Sequence, residues 1–73
     1  MIPKGTRVKI KDSEIDGFLV SFQKKVAGRT GVVTGHPFGN AERSSLVTFP
    51  AIGRRKEHGP ENIRNIWLEI VED

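Results

Sequence analysis

Three adjacent cations, Arg54-Arg55-Lys56, are the sharpest chemical feature of this 73-residue sequence. Held at a loop tip, they would neutralise backbone phosphates without reading a base sequence. Pro50, Gly53, Gly59 and Pro60 bracket them, so residues 53–59 read as an exposed hairpin tip. Lys24, Lys25, Arg29 and Arg43 add positive charge in other expected loops or element ends. Phe38 lies in the turn cluster His36-Pro37-Phe38-Gly39-Asn40 and is the candidate platform for stacking a base of a single strand. The plainer alternative for Arg54-Arg55-Lys56 is a solubilising turn that blunts an edge strand.

Groups for catalysis are sparse. Without Cys or Tyr, the nucleophile candidates are Ser13, Ser21, Ser44, Ser45 and the threonines. The two imidazoles, His36 and His58, have no paired metal-ligand spacing, so no metal site is expected. Glu57-His58 is a formal base with its orienter, but adjacency in sequence does not supply the geometry that proton transfer needs. No phosphate-cradling glycine loop is present, because Gly28 and Gly31 lack the helix-opening context. The expectation is a non-enzyme that uses no cofactor.

Charge is unevenly spread. Residues 1–56 carry eleven Lys/Arg against four carboxylates, a net +7, whereas residues 57–73 carry one against five, a net −4. Such asymmetry is the electrostatic footprint of a polyanion binder. A chain of this length forms one domain, residues 1–73, and buries only about 60% of its unfolded surface. It holds no cysteine to staple it, no apolar run long enough to span a membrane and no signal-peptide core. A soluble, cytoplasmic protein is therefore expected.

The elements that must position these cations read as short strands. Residues 6–11 alternate, with Val8 and Ile10 on one face and Arg7, Lys9 and Lys11 on the other. Ile15, Phe18, Leu19, Phe22 and Val26 form a helical stripe. Ser13 stands at its start, Lys24 and Lys25 in its last turn and Gly28 past its end. Gly17 opposes that helix, and Phe18–Phe22 also suits a strand, so residues 13–27 are open between helix, strand and loop. Residues 30–34 and 45–49 are β-rich, Pro60-Glu61-Asn62-Ile63 has room for one helical turn, and Ile66 to Val71 closes the chain as a strand. Trp67 falls out of phase with Ile66, Leu68 and Ile70, which places it half exposed or plugging one end of the fold. The fold class is mostly β: a small barrel of four to five strands with one inserted short helix or long loop.

Two segments give this barrel a family resemblance. Gly5-Thr6-Arg7-Val8-Lys9-Ile10 resembles the opening strand of SH3-like barrels of the KOW type. Gly28-Arg29-Thr30-Gly31-Val32-Val33 resembles the heart of the KOW motif, with Gly31 at the motif glycine. The resemblance implies nucleic-acid or ribonucleoprotein association through loops. Residues 12–27 separate the two motif halves, and a long insert of this kind is similar to the beta-subunit barrel of nitrile hydratases, whose insert signature this sequence lacks. Independently of either family, a glycine at 31 suits a strand that curls where a side chain would clash. The expected function is RNA or DNA binding through Lys24, Lys25, Arg29, Phe38, Arg43, Arg54, Arg55 and Lys56. The alternative is a protein-interaction or assembly module, as a subunit of a complex or a homo-oligomer.

Overall fold

A computed structural model describes residues 1–72. Five antiparallel strands form one sheet: β1 (Arg7–Ile10), β2 (Gly31–Gly35), β3 (Ser44–Phe49), β4 (His58–Arg64) and β5 (Leu68–Ile70). Their order across the sheet is β4-β3-β2-β1-β5. Successive strands therefore lie side by side from β1 to β4, and β5 returns to pair with β1. A 3-10 turn over Asn65–Trp67 carries the chain from one sheet edge to the other. This mostly β order is consistent with the expected SH3-like barrel.

Alternation in the sequence becomes burial in the sheet. Val8 and Ile10 in β1, Val33 in β2, Val47 and Phe49 in β3, Ile63 in β4 and Leu68 in β5 turn inward, joined by Val26. Val8 faces Gly31 in the register, and Gly31 has no room for a side chain. A Cβ there would stand 2.5 Å from Val47 Cγ1 and 3.1 Å from two Phe49 ring carbons. Its φ is not in the left-handed region, so close approach alone demands the glycine.

Between β1 and β2 the chain forms two short helices, α1 (Asp12–Ile15) and α2 (Val20–Val26). The single stripe read from the sequence is interrupted by residues 16–19, around Gly17, and the N-cap of α1 is Lys11 rather than Ser13. The inward side of this insert, Ile15, Phe18 and Phe22, packs against the core. Phe18 meets the Trp67 ring edge-on at 5.3 Å, and Phe22 approaches the His58 ring at 6.0 Å. Leu19 belongs to the expected stripe but points outward, with 78% of its surface exposed. Gly28, at φ +72°, turns the chain out of α2 towards β2, as expected for a residue just past a helix end.

Two boundaries differ from the sequence reading. Residues 60–63 are part of β4, not a helical turn, and the turn lies at Asn65–Trp67, where a strand was expected. Within the apolar run from Ile66, Leu68 is buried whereas Ile66 and Ile70 are exposed. Trp67 is partly buried against the core through Phe18.

Candidate nucleic-acid interface

The segment between β3 and β4 is a tight reversal, as its turn residues foretell. Ile52 and Arg55 exchange backbone hydrogen bonds of 3.0 and 2.9 Å around Gly53-Arg54. Gly53 takes φ +56° and Arg54 does not share the positive φ, the pattern of a turn with glycine at its first central position. Arg54 thus occupies the apex, and Arg54, Arg55 and Lys56 are all exposed.

α2 brings its own cations to the same place. Lys24 and Lys25 lie in its last turn, where positive side chains complement the helix dipole, and both are exposed. Arg55 reaches from the loop to that turn, donating from Nη2 to the Lys24 carbonyl at 2.7 Å and from Nη1 to the Ala27 carbonyl at 3.5 Å. A shallow hollow of about 320 Å³ lies between the two segments, lined by Lys24, Lys25, Arg29, Arg55, Lys56, Glu57 and His58. A neighbouring hollow of about 370 Å³ shares Arg29 and Arg55 and adds Arg7, Thr30, Pro50 and Ile52 to its walls.

Arg29 differs from the rest of the expected set. It is buried, 7% exposed, and its guanidinium is engaged by backbone oxygens. Nη1 donates to the Lys25 carbonyl at 2.7 Å. Nη2 donates to the carbonyls of Phe49 at 3.1 Å, Pro50 at 2.7 Å and Lys56 at 3.1 Å. The guanidinium carbon also stands 5.9 Å from the Phe49 ring centre. No carboxylate pairs with Arg29 among the described residues.

Phe38 and Arg43 sit elsewhere. Both belong to the loop before β3, whereas the Arg54 turn follows β3, and a six-residue strand separates its ends by about 17 Å. Phe38 is fully exposed there. Arg43 borders a hollow of about 450 Å³ shared with Asn40, Glu42, Ser44, Arg64 and Asn65. This end is tied by side-chain amides: Ser45 Oγ donates to Asn65 Oδ1 at 2.7 Å, and Asn65 Nδ2 donates to the Glu42 carbonyl at 3.1 Å. Arg64 belongs to the same end, 5.6 Å from the Trp67 ring centre, and its place beside Arg43 follows from a strand register that the sequence does not display.

The two histidines lie apart, each with one polar neighbour. His36 Nε2 lies 2.6 Å from the Ile2 carbonyl, and His58 Nε2 lies 2.9 Å from Glu61 Oε1 within β4. No cluster of three His, Asp or Glu suited to a metal occurs among the described residues, and no helix of the described chain is long and apolar enough to cross a membrane. The structure thus gathers Lys24, Lys25, Arg55 and Lys56, with Glu57, around a buried Arg29, places Arg54 at the apex of the adjoining turn, and leaves Phe38 and Arg43 on the loop before β3. Comparison with protein-family models, with curated proteins and with solved structures finds no match for the chain.

Proposed function

We propose that the protein is a non-catalytic module that binds the phosphate backbone of RNA or DNA at the face built from α2 and the Arg54 turn. The observation that carries this reading is the convergence of two segments, some thirty residues apart in sequence, that bring Lys24, Lys25, Arg55 and Lys56 to one hollow beside the Arg54 turn. Arg55 and Arg29 are held by carbonyl oxygens rather than carboxylates, and Glu57 is the one carboxylate on a hollow that five cations line. Such a face suits a polyanion followed along its backbone.

Fluorescence-anisotropy titration with short RNA and DNA at two salt concentrations tests it. Each phosphate neutralised contributes about −0.7 to −0.9 to the log–log salt slope, so three contacts give roughly −2 to −3. No binding at low salt would remove the reading and return the Arg54 turn to a solubility feature.

A second reading has its own observation. Leu19 and Val20 are 78% and 65% exposed beside the Phe18–Phe22–Trp67 cluster. An assembly module would use that apolar edge, and its association would persist at high salt.

A further inference from the structure

We infer that Arg29 is the positioning residue of the cationic face: its buried guanidinium, by holding the carbonyls of Lys25, Pro50 and Lys56 together, locks α2 and the Arg54 turn into one surface. The inference deepens the proposed function, because it assigns how that face is kept in register. Its physical content stands on hydrogen bonds alone.

Residues 50–57 have little else to fix them. They bury no apolar side chain, and their own backbone bonds are the pair between Ile52 and Arg55. Arg29 and Arg55 supply side-chain hydrogen bonds that join this segment to the rest of the chain. The two arginines cross in opposite directions. Arg29, beyond the end of α2, reaches into the loop; Arg55, in the loop, reaches back to α2. A guanidinium fork suits this task, since it presents five donors in a fixed plane, whereas a lysine ammonium is a single compact centre.

The choice of carbonyl partners also matters for the ligand. An arginine fixed by Asp or Glu would bring a negative charge to the face and subtract from its field. Carbonyl dipoles engage Nη1 and Nη2 without bringing a counter-charge, while the buried Nε has no hydrogen-bond partner. Arg29 thus orders the face and adds to its potential without touching solvent extensively.

Arg29→Lys keeps the charge and removes the fork, so it separates the two roles. Amide hydrogen exchange at Ile52 and Arg55, the two hydrogen-bonded amides of the segment, is expected to accelerate by about tenfold or more, while the amides of Val33 and Val47 keep their rates. Affinity for a short single-stranded oligonucleotide is expected to fall, and Lys56→Gln, which weakens the parent protein, is expected to cost nothing further in the Arg29→Lys background. Unchanged exchange at Ile52 and Arg55, or acceleration spread equally through the strands, would overturn the inference and make Arg29 an ordinary core contact. If Arg29→Lys does not fold, Arg55→Lys cuts the opposite cross-link from the exposed side and must loosen the same segment. If the parent protein binds no oligonucleotide at low salt, the proposed function fails, and the exchange measurement still decides the lock.

Discussion

The two ends of β3 hold their loops by different means. At the Phe49 end, a buried arginine and an exposed one bond to backbone carbonyls, and the surface they order is cationic. At the Ser44 end, Ser45, Asn65 and Asn40 make neutral side-chain bonds, and the loop they order mixes Glu42 with Arg43 and Arg64. Both devices satisfy loops that cover little apolar surface. Only the first gathers a clear excess of positive charge, five cations against Glu57 around one hollow, because its cross-links are themselves positive. The net +7 of residues 1–56 is therefore not a uniform coat, and the face near α2 is the part where it can act in concert.

The largest expected effect breaks or sharpens this contrast directly. Arg54→Glu with Lys56→Glu should lower affinity for a short RNA or DNA strand by more than about a hundredfold at low salt. Arg55 is left intact because it bonds to the Lys24 carbonyl, so the melting temperature should hold. Arg43→Glu, at the far end, should change affinity by less than about threefold. Equal losses in a titration of the two variants would show that the ends act as one field.

Stability offers the next contrast, between the two glycines that bound β2. Gly31→Val would drive a branched side chain into Val47 and the Phe49 ring, and should cost about 1–3 kcal/mol in a urea titration. Gly35→Ala meets Leu46 Cδ1 at 3.4 Å, the free end of a flexible side chain, and should cost less than about 0.5 kcal/mol. An unchanged midpoint for Gly31→Val would mean that β2 and β3 lie farther apart at the cationic end than the close approach requires.

What was legible in the sequence follows from where burial is regular. Thr6 to Lys11 alternates over a half-buried strand, and β1 appears at Arg7–Ile10. Ser45 to Phe49 is β-rich, and β3 occupies Ser44–Phe49. β4 was illegible because Ile63 is its one buried hydrophobic residue and Gly59-Pro60 reads as punctuation, while an edge strand needs neither alternation nor a full set of donors. Ile66, Leu68 and Ile70 recur with a strand's period, so a 3-10 turn that takes in Ile66 and Trp67 could not be separated from the strand that follows. In the candidate site, the turn residues around Arg54 announced the loop. Arg29 carried no such signal: a buried arginine serving carbonyls and a solvated one serving phosphate are the same letter.

A smaller effect is expected from Ser45→Ala, which leaves Asn65 Oδ1 without its donor at the Ser44 end. Loss of that bond should cost about 1–2 kcal/mol in urea and leave oligonucleotide affinity unchanged, because the cationic face does not depend on it. A fall in affinity matched by no loss of stability would place the ligand at this end instead.

Phe38→Ala should have the smallest effect of all. The ring is fully exposed and packs against nothing in the core, so the urea midpoint should move by no more than about 0.5 kcal/mol. It stands on the loop before β3 whereas the Arg54 turn follows β3, a strand about 17 Å long that a dinucleotide does not span. Dinucleotide affinity should therefore be the same with Phe38 and with alanine. Stacking of a base on an exposed aromatic ring is worth about 1–3 kcal/mol, and a long single strand has the reach to use it. A loss of that size with a long oligonucleotide, and none with the dinucleotide, would join the two ends into one path in which phosphates are held near α2 and a base is held at Phe38. Equal affinities for both ligands would leave the cationic end as the whole of the site.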